Sequence, residues 1–142
     1  MTEISFYFNA PDKLAVARRL AQKASTSGKR LLIYSRDAHT LKSLDALMWT
    51  SPPTGFLPHC QAGAAHADET PVLLSADPEA LPHHEILMNL DLERPPLFSR
   101  FDRLLEIVAR DDMEDRARAR ERARFYRDRG YRVDNIDLAA RA

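Results

Sequence analysis

Cysteine, glycine and long apolar runs are all scarce in this chain of 142 residues, and each shortage excludes a class of protein. Cys60 is the only cysteine, so an internal disulfide is impossible and a reducing compartment, the cytoplasm, is expected. No apolar stretch approaches the ~20 residues that span a bilayer, and the opening MTEISFYFNA lacks a basic leader and a cleavage site, so no membrane partner is expected. Glycine occurs four times and never in the first strand-to-helix turn, Asn9-Ala10-Pro11-Asp12. The loop whose backbone amides converge on a phosphate is therefore missing. Gly28-Lys29-Arg30 carries a fragment of that motif, but it follows a helix and precedes a strand, where Gly28 reads as a helix stop. Nucleophile motifs such as GxSxG are absent, and His59, Cys60, His66, His83 and His84 match no recurrent zinc spacing. No catalysis, metal, cofactor or small-molecule substrate is expected.

What remains is an ordinary composition, 44% apolar and 30% charged with a formal net charge of zero, which suits one globular domain over residues 1–142. The order of elements is alternating. Ile4 to Asn9 reads as a strand, and Asp12 then opens a helix whose Leu14, Ala17, Ala21 and Ala24 recur at helical spacing. Arg30 to Ser35 reads as a second strand, followed by a helix with Asp37 near its start and Leu41, Leu44 and Met48 on one face. The span from Thr50 to Pro71 is rich in proline and reads as loop. Val72 to Ser75, Ile86 to Leu90 and Leu104 to Val108 are further strands, and Tyr131 to Asp137 alternates like a last one. This order predicts an α/β fold with a mostly parallel sheet flanked by helices.

Two constellations stand out. Trp49, Ser51-Pro52-Pro53, Phe56 and Pro58-His59 put large rings at a helix end and in a proline-rich loop. Such rings either anchor a protein interface or fold back to cap the core. The second is the helix from Asp112 to about Gly130, whose start gathers Asp111, Asp112, Glu114 and Asp115. Carboxylates there favour the positive end of the helix and need no bound cation. From Arg116 to Arg132 eight arginines face two acids, a local formal charge of +6. Arg116, Arg120, Arg124 and Arg127 fall within about 80° of one another on a helical projection, with Ala123 in the same stripe. A guanidinium stripe suits carboxylates and phosphates, so an acidic peptide and direct binding of nucleic acid are both open, as is a solvated helix balanced by pairs such as Asp112 with Arg116.

The strings LDALMWTSPPTGFLPH, Leu44 to His59, and RERARFYRDRGYRV, Arg120 to Val133, together with ISFYFN and GKRLLIYSRD, resemble the chi subunit of bacterial DNA polymerase III. The resemblance implies a fold similar to nucleotide-binding domains without their phosphate loop, and a noncatalytic place in the clamp-loader assembly. It implies two protein partners, the psi subunit and the acidic, phenylalanine-ended C-terminal tail of the single-stranded-DNA-binding protein, through which DNA is reached indirectly. By the same resemblance Trp49 and Phe56 match the aromatic patch for psi. Arg120 matches the receiver of the tail's terminal carboxylate, with Arg116 and Arg124 at basic positions beside it. Tyr126 matches a family aromatic and is either part of the tail site or core. Ala123 departs from the pattern, since a relative carries tyrosine beside the pocket, and Arg124, Phe125 or Val108 is then expected to complete the lining.

Overall fold

The computed structural model describes residues 1–50, 58–62, 64, 70–77 and 83–141. Among the described residues seven strands form one sheet: β1 (Glu3–Ala10), β2 (Leu31–Tyr34), β3 (His59–Gln61), β4 (Val72–Ser75), β5 (Ile86–Asn89), β6 (Arg103–Ala109) and β7 (Val133–Asp137). Their spatial order is β3-β4-β2-β5-β6-β1-β7, and all six pairings among the described residues are parallel. The helices are α1 (Lys13–Thr26), α2 (Ala38–Thr50) and α3 (Met113–Asp128). Among the described strands, β3 is the one that the sequence reading leaves as loop. Three residues at a sheet edge carry no periodic signal, and pairing with β4 is what makes them a strand.

Central strands read as unbroken apolar runs because both their faces are covered. Leu31 and Ile33 point to the layer built by α1 and α2, with Val16, Ala17, Ala21, Leu41, Leu44 and Met48. Leu32 and Tyr34 point the other way, to the layer of Phe98, Phe101, Ala119, Ala123 and Tyr126. The alanines of α1 let it lie close on the sheet, and the expected face Leu41, Leu44 and Met48 of α2 is buried. Gly28 and Gly130 follow the ends of α1 and α3 with φ of +74° and +86°, the left-handed conformation that lets the chain turn away from a helix.

Each helix begins on its own aspartate. The Asp12 carboxylate accepts from the Ala15 N–H at 3.2 Å, and that of Asp112 from the Asp115 N–H at 3.1 Å. Asp37 accepts from the His39 N–H at 3.1 Å and from the Thr40 hydroxyl at 2.8 Å, and the Thr40 bond above all holds its carboxyl below the usual range. The helix ends that face the C-terminal edge of the parallel sheet thus already hold an anion each.

Just before β5, His83 is buried, its Nδ1 accepting from the Glu85 N–H at 3.1 Å and its ring edge-on to Phe101. Burial, followed by the Arg30 charge, lowers its basicity. The stabilisation from neutral His83 is therefore complete above the unfolded-state value of about 6.5 and is lost as the pH falls from there through the folded-state value. We expect the thermal midpoint to drop between about pH 7.5 and 5.5. His83→Asn, which keeps an acceptor, should drop less; equal pH slopes for the two proteins would remove His83 from the account.

Candidate functional site

Among the described residues, a recess of about 590 Å³ lies between α3 and the β1–β7 end of the sheet. Its floor is apolar: Phe6 and Phe8 from β1, Val108 from β6, and Ala119 and Ala123 one turn apart on α3. Its rim is the arginine stripe, with Arg116, Arg120, Arg124 and Arg127 all lining it and all exposed. Asn9, Asp128 and Asn135 add polar groups. The recess exists because β7 is the outermost strand and offers Asn135 beside Phe6 where a covered strand would carry an apolar residue. A bulge also interrupts β1 opposite Val108, between the pairs Tyr7↔Ile107 and Ala10↔Ala109. There Asn9 takes a φ of +61°, which asparagine tolerates better than most residues, and its amide donates to Asp137 Oδ1 at 2.8 Å.

Which arginines face the recess is decided by a buried carboxylate. Glu106, on β6, is fully buried, and its Oε1 accepts from Arg122 Nε at 3.2 Å and from the Asn89 amide at 3.0 Å. Its Oε2 accepts from the Tyr126 hydroxyl at 2.7 Å, while Arg122 also donates to the Leu92 carbonyl. Burial pushes the Glu106 carboxyl up, and the Arg122 charge and then the Tyr126 and Asn89 bonds pull it back. Burial and the adjoining Glu106 raise the Tyr126 hydroxyl, which stays protonated and donates. Arg122 and Tyr126 are four residues apart, so one face of α3 is pinned to one carboxylate.

The structure brings Arg116, Arg120, Arg124 and Val108 together and leaves Tyr126 outside the recess, in the core. The other arginines of the helix go elsewhere: Arg122 is buried against Glu106, and Arg118 turns to the opposite flank, 2.7 Å from Glu93. Trp49 lies at the far edge of the sheet and is 59% exposed, its ring 4.9 Å from that of the buried His59, which meets Asp45 at 3.0 Å. Phe56 and His66 lie outside the described residues. The acidic start of α3 is used internally: Asp115 is buried, binding Lys13 Nζ at 3.1 Å and the Ala109 N–H at 2.8 Å. Among the described residues no three of His, Cys, Asp and Glu converge as a metal set. Phe6, Phe8, Asn9 and Asn135 are among the site residues that sequence reasoning missed, because only the strand order places β1 and β7 beside the stripe; Ala119 and Asp128, on α3 itself, were missed as well.

Removing one member of a buried pair leaves the other uncompensated, so Arg122→Ala should cost about 3–5 kcal/mol of stability. Arg120→Ala, at an exposed position on the same helix, should stay within about 0.5 kcal/mol of wild type. Urea unfolding of both variants checks this, and similar losses would mean that Arg122 is not the anchor.

Residues 1–134 match the family model described as DNA polymerase III chi subunit, HolC. The chain is 33% identical over 142 residues to the DNA polymerase III subunit chi of Pseudomonas aeruginosa, covering 97% of this chain and 98% of that one. It is 29% identical to the protein of the same name from Haemophilus influenzae, over 87% and 85% of the two chains. The similarity to that of Escherichia coli is 28% over 81% and 78%. On a match that runs through the sheet, α3 and its arginine rim alike, the chain belongs to the DNA polymerase III chi subunit family, an accessory and noncatalytic part of a replicative polymerase.

Proposed function

We propose that this protein is a cytoplasmic tether: the α3 recess receives the acidic, aromatic-ended C-terminal tail of single-stranded-DNA-binding protein, while the Trp49 side pairs with a psi subunit of the clamp loader. The observation that carries the reading is the join of four exposed guanidiniums to an apolar floor in one recess. A chain end that presents carboxylates and one large apolar side chain needs both. Arg120, central in the stripe, meets the terminal carboxylate, and Arg116, Arg124 and Arg127 meet acidic side chains. The ring settles on Phe6, Phe8 and Val108, and the small side chains of Ala119 and Ala123 leave room for it.

Placement of the two surfaces suits a bridge. Trp49 is near β3 and the floor of the recess is on β6 and β1, so four to five strand spacings of about 4.8 Å separate them, roughly 19–24 Å. Two partners can dock without collision. One recess contact need not be strong, because coated DNA displays many tails and linkage raises their effective concentration.

Calorimetry with a tail peptide tests the recess. Arg120→Ala should lose about tenfold to hundredfold in affinity, the worth of a charge-assisted hydrogen bond of roughly 1.5–3 kcal/mol. Arg120→Lys should recover part of that, since it keeps the charge without the planar fork. Arg118→Ala should change little, because Arg118 faces the other flank. Equal losses at Arg118 and Arg120, or an unaffected Arg120→Ala, would end the receptor assignment.

For the other side, Trp49→Ala should remove about 2 kcal/mol or more of binding energy toward psi while shifting the thermal midpoint little. A sharp loss of stability with complex formation intact would make Trp49 a core residue instead.

A further inference from the structure

The flank of α3 that faces away from the recess carries a second group of cations, built from two elements. The connection after β5 runs along this flank, and its Glu93 is tied to Arg118 at 2.7 Å. The next residue, Arg94, lies over the half-buried Phe125 ring with its guanidinium carbon 3.6 Å from the centroid. Arg129, at the end of α3, lies over the same ring at 4.0 Å. Two planar cations cannot share one face at that distance, so Phe125 is sandwiched. Both arginines are exposed, and among the described residues neither meets a carboxylate within ion-pair distance. Like charges normally drift apart in water; here one ring holds the guanidiniums of two exposed residues close together.

We propose that the Arg94–Phe125–Arg129 stack is a contact for single-stranded DNA, separate from the recess. Phosphodiester oxygens take the in-plane donors, and a base stacks on an outer guanidinium plane, the two contacts by which arginine commonly holds an unpaired strand. An acidic peptide is the weaker match. Phe125 is covered on both faces, so this flank presents charge and flat planes rather than a recess for an apolar side chain. Membership of a replicative polymerase family puts such a strand within reach of the protein. With two cations the contact is weak alone and salt-sensitive. The inference does not depend on the tail-receptor reading, since it uses the opposite flank of the helix.

Fluorescence anisotropy of a labelled oligothymidylate of about 15 nucleotides, titrated with the full chain at low salt, tests this. Arg94→Ala and Arg129→Ala should each weaken binding about fivefold and flatten the dependence of log affinity on log salt by about 0.7. Phe125→Leu keeps both charges and the bulk against the core, so it should weaken binding while leaving the salt slope as it is. Arg94→Lys, a change that keeps the charge and leaves folding unstrained, should bind more weakly than wild type because it lacks the plane. Arg120→Ala, on the other flank, should weaken oligonucleotide binding less than Arg94→Ala does while lowering tail-peptide affinity more, which separates failure here from failure of the tail receptor. No binding by the wild type, equal losses from Arg120→Ala and Arg94→Ala, or displacement by polyglutamate as readily as by oligothymidylate would each overturn the proposal. So would stability losses in the Arg94 and Phe125 variants with binding intact, since the stack would then be only a staple between loop and helix.

Discussion

A single buried carboxylate sets the geometry on which both faces of α3 depend. Glu106 sits on β6, and Arg122 and Tyr126 reach it from positions one turn apart on the helix. Both donors can be satisfied at one rotation of α3 and no other. Apolar contacts at Ala119 and Ala123 would tolerate a turn of several degrees, but a guanidinium and a phenol that must meet two oxygens of the same carboxylate do not. Burying an ion pair adds little net stability over a well-packed apolar substitute. Its effect in this molecule is orientation: Arg116, Arg120, Arg124 and Arg127 come to one flank, and Arg118 and Arg129 to the other.

The same physics explains where function is not found. A parallel sheet normally offers a ligand site at the C-terminal ends of its strands, where helix N-termini present free amides. Asp12, Asp37 and Asp112 occupy those amides with side chains, and Lys13 there is bound by Asp115. A cavity of about 360 Å³ remains there, but Asp37, Asp91, Asp112 and Asp115 line it, and the amides an anion would need are already taken. A larger recess, of about 590 Å³, opens at the β7 edge, where the buried Phe6 and half-buried Phe8 contribute to the floor and the helix rim supplies charge.

The remaining surfaces divide by distance and chemistry. Trp49, held against His59 at the β3 edge, is an exposed apolar group far from any arginine of α3. The recess combines charge with apolar floor, and the Phe125 stack combines charge with flat planes. Three surfaces of different character thus lie on one small sheet in a member of an accessory subunit family.

Much of this was determined by the sequence alone. Ala17, Ala21 and Ala24 at helical spacing, the aspartates before each helix, the unbroken apolar runs of β2 and β4 and the missing glycines define elements and exclude a phosphate loop, because those signals are local. The arginine stripe was equally legible, since it follows from the helical angle. Tertiary structure alone decided the rest. In the sequence Arg122 is one arginine among eight, and its burial depends on Glu106, sixteen residues away on another element. Phe6 and Phe8 become a floor, and β3 becomes a strand, only through the order of strands in the sheet. Arg94 meets Phe125 only because the connection after β5 lies along α3. Local chemistry specifies which groups are present; long-range pairing specifies which of them meet.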